Sequence, residues 1–350
     1  MKRIANDQLH QLTATILEAA GASGGDAAVV ARHMVGANLA GHDSHGVQLL
    51  SVYVGRIKAG DIVPGAATQV LDETATTARV DGHWGFGQVV SERAMELAIA
   101  KARDANVAAV TVIRQSHVGR LTDYPLMAAR AGMIGFMFCD SGRTAKQVAP
   151  FGGRAPRLGT NPLCIALPSD LAAPVFLDGA TSQAAANKIA IYRKRGQPLP
   201  EGWILDAAGH PSTNPEDYDR GGVLLPYGGM QGHKGYGLGF MIEVFTGILT
   251  GLGFGVDPAG RHNDGSLMMA INVAAFLPLD RFRAEVTAFA HYVKATPPAP
   301  GVAEVLYPGE PEWRTEQARR AHGIPIDEET WDALVRLAAD YGVAGPEPLA

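Results

Sequence analysis

The sequence predicts an α/β fold with helices contributed by both ends of the chain, and three observations carry that prediction. Residues 87–139 alternate helix-periodic and strand-like segments, an order that favours a layered α/β arrangement with at least one parallel strand pair. Helical periodicity dominates both termini. The middle of the chain is instead rich in Gly and Pro, with short apolar runs between them.

Taken in order, residues 6–20 carry Leu9, Leu12, Ile16 and Leu17 at helical spacing, with Gly21 as a stop. Asp26 is a candidate cap for a second helix to about Leu39, with Val29, Val30, Met34 and Val35 on its inner face. After residues 41–46 a third helix is expected over 47–59. Residues 78–81 read as a strand end and 82–87 as a glycine turn, and Ser91 as the cap of a helix to about Asp104. Residues 107–113 and 134–139 read as buried strands, with a helix ending near Ala131 between them. Short strands are expected at 164–167 and 175–177. Residues 233–251 are apolar almost all round, the pattern of a deeply buried helix. Residues 266–276 read as a central strand, 281–296 as an amphipathic helix and 304–307 as a short strand. Two helices, 312–321 and 327–341, complete the chain. No internal repeat is present.

The bulk composition excludes several classes. The chain has 350 residues, 47% hydrophobic and 19% charged, with a formal net charge of -5, and its mean hydropathy is near zero. That is ordinary globular composition, long enough for two or three cores. The charges are mixed and the one dense basic run, 188–195, is short, so no nucleic-acid partner is expected. No run of about 18 apolar residues exists, so no membrane helix is expected. The polar N-terminus lacks the apolar core of a signal peptide, and the two cysteines, Cys139 and Cys164, sit in apolar stretches away from any metal-ligand spacing. These features point to the cytoplasm. Glycine is enriched, 42 of 350 residues or about 12% against a usual value of about 7%, in patches that permit close backbone approach to a ligand.

No dinucleotide fingerprint is present: the glycines at 82–87 have the wrong order, and those at 251–255 follow a helix rather than a strand. The densest ionisable cluster is His42, Asp43, Ser44 and His45. A histidine beside an acid and a hydroxyl suits general acid–base chemistry near neutral pH, but the same residues also suit a helix cap. His42 and His45 have no third ligand at metal spacing, so no metal is expected. His117 follows a buried strand, where α/β sheets place ligands, or is simply a loop histidine. Asp178 leaves an apolar strand either as a cap or as a charge aimed at a site. Lys234, among three glycines at the start of the most apolar helix, suits an anion such as phosphate.

Seven stretches in register resemble one family across nearly the whole chain: A-G-H-D-S-H-G-V at 40–47, S-H-V-G at 116–119, V-A-P-F-G-G at 148–153, L-G-T-N-P at 158–162, L-D-G-A-T-S at 177–182, H-K-G-Y at 233–236 and P-G-E at 308–310. Together they resemble the malate/L-lactate/sulfolactate dehydrogenase family, which is not of the Rossmann type. The stretch 38–46 most resembles its hydroxycarboxylate dehydrogenase B branch. The resemblance implies a sheet of uncommon, mixed topology. It implies a discontinuous helical substrate domain, 1–75 with 297–350, and an NAD(P)-binding α/β domain, 76–296, with an inserted Gly/Pro-rich subdomain. It also implies a homodimer, with NAD or NADP held without a glycine-rich turn, which accounts for the missing fingerprint.

By the same resemblance, His45 is the proton donor to a 2-oxoacid carbonyl, with Ser44, Asp178 and His117 beside it. Ser141, Thr160, Asn161, Asp178, Thr181, Ser182, His233, Lys234, Gly235, Pro308, Gly309 and Glu310 match stretches that line the cofactor. Many members carry an arginine four residues after the histidine to clamp the substrate carboxylate. Here that position is Leu49, which leaves Arg56, Arg120 and Arg143 as candidate cations and favours bulkier or more apolar 2-oxoacids. Reduction of a cyclic imine (Δ1-piperideine-2-carboxylate or Δ1-pyrroline-2-carboxylate) and oxidation of ureidoglycolate are alternatives within the family. A metal-dependent hydrolase built on His42, Asp43 and His45 and a catalytically silent binding protein are alternatives outside it.

Overall fold

The structure is a computed structural model that describes residues 1–140, 142–257 and 260–349. Strand β1 (Lys2–Ile4) leads into helices α1 (Asn6–Ala19) and α2 (Gly24–Leu39). Leu9, Leu12, Ile16 and Leu17 form the buried stripe of α1. Ser23, not Asp26, caps α2 by accepting the Asp26 N–H, because Ser23 is the last residue with extended backbone. The Asp26 carboxylate accepts the Gly65 N–H instead. Two 3-10 turns, Asp43–His45 and Val47–Leu49, precede α3 (Leu50–Ala59), which Gly60 ends in the left-handed region at φ 77°.

Strands β2 (Gln69–Glu73) and β3 (Thr77–Gly85) follow, then α4 (Gly87–Ala105), β4 (Val107–Gln115), α5 (Asp123–Arg130), β5 (Met133–Cys139), β6 (Leu163–Leu167) and β7 (Val175–Gly179). Helix α4 begins four residues before the expected Ser91 cap. Ser91 is buried within it and donates to Gln115 Oε1 at 3.0 Å. The Gly/Pro-rich stretch carries α6 (Ala186–Lys194), β8 (Ile204–Leu205), β9 (Pro211–Ser212), α7 (Glu216–Asp219) and β10 (Val223–Leu224) around a small core of Leu158, Ile189, Ile204 and Leu224. Then come α8 (His233–Glu243) with a π turn at Val244–Ile248, β11 (Ser266–Asn272), α9 (Leu279–Lys294), α10 (Glu310–His322), β12 (Ile324–Ile326) and α11 (Glu328–Asp340). Residues 304–307 form no strand: the backbone there runs past β7, with Pro308 accepting the Phe176 N–H, outside any ladder.

The main sheet has the order β2-β3-β4-β11-β5-β6-β7. Strands β3 and β4 run parallel, and the remaining neighbours are antiparallel, so the sheet is mixed. The chain ends meet: β1 pairs with β12, and Leu9, Ile16, Met34, Leu50 and Tyr53 share one core with Ile324, Trp331 and Leu334. A second core packs α4 and α5 on the sheet through Met95, Tyr124, Val110, Val112, Met137 and Met268. Among the described residues no helix is long and apolar enough to cross a membrane. The segment beginning at His233 departs from expectation. Leu238, Phe240, Met241, Ile248 and Leu249 are exposed, because the helix rests on the molecule along its glycines, Gly235 and Gly239.

Candidate active site

Strand direction gathers the site. Strands β4 and β5 run together, and β11 runs opposite to both, so the entry to β11 meets the exits of β4 and β5: Ser266 stands opposite Val112 and Cys139. Reversal at β6 and again at β7 brings the start of β6 and the end of β7 to the same edge, with Leu163 opposite Phe138 and Gly179. Residues 115–118, 140, 160–161, 178–182 and 262–264 therefore lie along one end of the sheet.

The turn that carries His45 is built by Asn38. The Asn38 amide donates to Asp43 Oδ1 at 2.7 Å and accepts the Val47 N–H at 2.9 Å. Gly46 is required there, because a Cβ would lie 2.2 Å from Asn38 Oδ1. Asp43 also receives two hydrogen bonds from Arg319 of α10, at 2.6 and 3.1 Å, and His42 lies 3.6 Å from Glu312. Neither Asp43 nor Ser44 caps a helix. Asp43 ties the turn to the C-terminal helices, and Ser44 Oγ lies 3.1 Å from His45 Nδ1. Among the described residues no group of three His, Cys, Asp or Glu side chains is placed to hold a metal ion.

His45 stacks on His117, with ring centroids 5.8 Å apart and planes within 9°. His117 Nδ1 lies 2.8 Å from the Tyr53 hydroxyl, which in turn accepts from Gln88 Nε2 at 2.7 Å. A third histidine, His262, is tilted against His117 at 6.2 Å and lies 2.8 Å from Asp264. Asp264 also accepts the Val118 N–H. Burial pushes the His45 imidazole below its ordinary pKa; the Asp178 carboxylate opposes that shift, and His42 and Arg120 add to it. Burial pushes His117 down to about 3. Burial alone would raise Asp264, but its histidine neighbours hold it below the usual carboxylate range.

Asp178 does not hydrogen-bond His45. Its carboxylate accepts the Thr122 N–H at 2.9 Å and the Thr122 hydroxyl at 2.6 Å, so it acts on His45 through charge. Leu49 packs against the helical core. Arg120 is paired with Asp123 at 2.7 Å and Arg143 with Asp257 at 3.5 Å. Among the described residues the side chain of Arg56, one turn beyond Tyr53 on α3, has no hydrogen-bond or ion-pair partner, and its charge reaches His117.

The second group of sequence-selected residues falls into two sets. Thr160, Asn161, Thr181, Ser182 and Gly235 are brought together, with most of their polar atoms engaged. Thr181 donates to the carbonyls of Thr160 and Asn161, and Ser182 to that of Ala184. The buried Asn161 amide donates to Gly239 O and Glu243 Oε2, both at 2.9 Å. Gly235 lies so close to Tyr227 that a Cβ would meet its carbonyl oxygen at 2.1 Å. His233 and Lys234 are exposed on the first turn of α8, which has no side-chain cap. Pro308 and Gly309 cross β7 at Phe176, where a Cβ on Gly309 would lie 2.2 Å from Pro174 O. Glu310 is held by Lys294 and Arg314. Ser141 lies outside the described residues. Sequence reasoning missed Tyr53, Gln88, His262, Asp264 and the buried Lys146–Glu243 pair. The one local signal was H-N-D-G at 262–265 leading into a strand-like run.

With this geometry in place, the comparisons with known proteins converge. The family model described as malate/L-lactate dehydrogenase matches residues 4–335. A malate dehydrogenase of Pyrococcus abyssi is 36% identical, covering 99% of this chain and 96% of its own. Other relatives are named L-lactate dehydrogenase, L-sulfolactate dehydrogenase and hydroxycarboxylate dehydrogenase B. The malate dehydrogenase of Entamoeba histolytica superposes with a TM-score of 0.92 at 32% identity, covering 99% of both chains. A Δ1-piperideine-2-carboxylate reductase of Pseudomonas syringae pvar. tomato superposes with a TM-score of 0.83 at 30% identity, covering 97% of this chain and all of that one. The fold and these relatives thus define a dehydrogenase. The chain belongs to the malate/L-lactate dehydrogenase family.

Proposed function

We propose that this chain is an NAD(P)-dependent 2-hydroxyacid dehydrogenase, a 2-oxoacid reductase in the reverse direction, with His45 as proton donor and acceptor. One observation carries the reading. His45 is held by Ser44 and stacked on His117, at the sheet edge that also carries Thr160, Asn161, Thr181 and Ser182. Residues 76–296 would carry the cofactor, with 1–75 and 297–350 closing over the substrate, and the enzyme would act in the cytoplasm.

The residues present fit a nicotinamide dinucleotide. The first turn of α8 presents N–H groups with no side-chain cap, and Lys234 beside them has no partner among the described residues, a donor set suited to phosphate. The buried Asn161 Oδ1 is an acceptor without a partner. When bound, the cofactor supplies or takes the hydride at the substrate's C2. His45 does the proton work. With Nδ1 beside Ser44, Nε2 is the nitrogen that gives a proton to the carbonyl oxygen in reduction and takes it from the hydroxyl in oxidation. The Asp178 charge, fixed by Thr122, stabilises the imidazolium form. Arg56 would take the substrate carboxylate in place of the arginine that Leu49 replaces.

The exposed apolar residues of α8 and its π turn form the face on which a second copy would pack, giving a homodimer. Reduction of a cyclic imino acid is the second reading, favoured by the similarity to the Pseudomonas syringae reductase.

The test is oxidation of NADH and of NADPH followed at 340 nm with a panel of 2-oxoacids, including oxaloacetate and phenylpyruvate-like acids, and cyclic imino acids. Turnover of 2-oxoacids with preference for the apolar members is expected. Turnover confined to imino acids would replace the first reading with the second. Arg56→Met should raise KM for 2-oxoacids roughly 10-fold or more, the loss of one charge-assisted hydrogen bond or more, with kcat less affected. An unchanged KM would remove Arg56 from the substrate site.

A further inference from the structure

We propose that Gln88 and Tyr53 form a relay that fixes His117 in the tautomer with its proton on Nε2, making His117 a hydrogen-bond donor to the reacting oxygen rather than a second proton donor. The inference rests on the reductase reading only for the identity of that oxygen.

The direction of the relay follows from counting hydrogens. Gln88, 1% exposed, gives an amide N–H to the Tyr53 oxygen at 2.7 Å. The Tyr53 hydroxyl, in a side chain that is 2% exposed, must send its own hydrogen elsewhere. Its two acceptors are His117 Nδ1 at 2.8 Å and the His117 carbonyl at 3.3 Å, and the ring nitrogen is the nearer. Nδ1 then carries a lone pair, and the ring proton sits on Nε2. The present orientation spends one amide hydrogen of Gln88 on Tyr53 and leaves the acceptor Oε1 without a partner, and unpaired buried acceptors are the more tolerated kind.

The surroundings keep this ring neutral. The titratable and charged groups facing His117 are Tyr53 and Arg56 from α3, His45 from the turn after α2, and His262 and Asp264 from the entry to β11. Three of these disfavour a second positive charge, and burial outweighs the attraction of Asp264. His262 already lies against Asp264, which absorbs much of that attraction. The two stacked imidazoles therefore divide the work. His45, exposed to Asp178 and without such a relay, exchanges the proton. His117 offers a fixed N–H to the oxygen on which charge develops, as a neutral imidazole can. Tyr53 and Gln88 are positioning residues, since neither is placed to touch substrate.

The experiment is 15N NMR of the full chain labelled at histidine, from pH 5 to 8, with the His117 signals assigned by their loss in His117→Asn. The wild type should show a bare Nδ1 and a protonated Nε2 at His117, with no titration in this range. Tyr53→Phe, which removes one oxygen and keeps the ring, should mix the tautomers and bring His117 into titration. It should lower kcat about 10-fold, less than the roughly 10²–10³ that follows complete loss of such a donor. The kcat profile of this variant should gain a second ionisation. Gln88→Met should move the tautomer in the same sense to a smaller extent. A ring proton on Nδ1 in the wild type would mean that Gln88 turns its oxygen to Tyr53, and would overturn the assignment. So would wild-type titration of His117 within the range, or a Tyr53→Phe spectrum identical to the wild type. Failure of the wild type to reduce any 2-oxoacid would count against the reductase reading, while the spectra would still decide the relay.

Discussion

His45→Ala is expected to lower kcat for 2-oxoacid reduction by about 10²–10⁴, the range spanned by removal of a positioned acid–base group, with cofactor binding measured by fluorescence titration unchanged. The residual rate then comes from binding and from the hydrogen bond given by His117. The sign of the pH dependence follows from burial. Because burial lowers the His45 pKa, the imidazole is predominantly neutral at pH 7, the form that accepts a proton from a hydroxyacid. Oxidation should therefore rise with pH through an ionisation on the acid side of the ordinary histidine value of about 6.5, and then level. Reduction needs the imidazolium and should fall through the same ionisation as pH rises. Mirror-image limbs that both vanish in His45→Ala are the predicted result. A variant that keeps the wild-type rate and both limbs would show that the proton passes elsewhere.

Lys146→Met should destabilise the chain by about 3–5 kcal/mol, the cost of leaving a buried charge without its partner. Lys146 Nζ donates to Glu243 Oε1 at 3.0 Å and to the Gly142 carbonyl at 2.6 Å, and the side chains are 2% and 8% exposed. The other carboxylate oxygen, Glu243 Oε2, accepts from Asn161. This pair joins the loop after β5 to the end of α8, and through Asn161 to the turn before β6. Its loss should loosen the face that carries Thr160, Thr181 and Lys234. Asp140, buried nearby and pushed up to about 7 by burial, has little capacity to tolerate an unbalanced Glu243. Urea unfolding of Lys146→Met, Glu243→Leu and the double variant tests this. The double variant should be less destabilised than the sum of the singles, because it removes both charges. Strict additivity would show that the two side chains do not act as a pair.

Much of the fold was legible because periodicity is a local property. The stripe Leu9, Leu12, Ile16 and Leu17 specifies α1, and the apolar runs at 107–113, 134–139 and 266–276 mark three strands, the last of which ends at Asn272 where a 3-10 turn begins. The same locality explains the errors. An all-round apolar helix at 233–251 reads as buried, yet its exposed side is settled by which neighbours the chain supplies. Three-residue strands such as β1 and β12 carry too few residues to show alternation and exist only because the chain ends meet. Ser91 and Asp26 have capping chemistry, but Phe86 and Ser23 hold the positions where the backbone turns helical.

The sequence by itself determined the mixed helix-and-strand order and the absence of a glycine-rich dinucleotide turn, because local pattern needs no distant partner, and it offered His45 and His117 as candidates through the family resemblance. Tertiary structure alone decided which groups surround them. Antiparallel insertion of β11 beside β4 brings Gln115 Nε2 to the Asp264 carbonyl, 149 residues away, and with it His262 to His117. The packing of α3 on α4 sets Tyr53 against Gln88 and His117. Among the described residues the Arg56 side chain is left without a partner, while Arg120 and Arg143 are held by Asp123 and Asp257. Strand direction and helix packing fix such meetings, and both are settled by burial of whole faces against one another, which no segment of sequence carries alone.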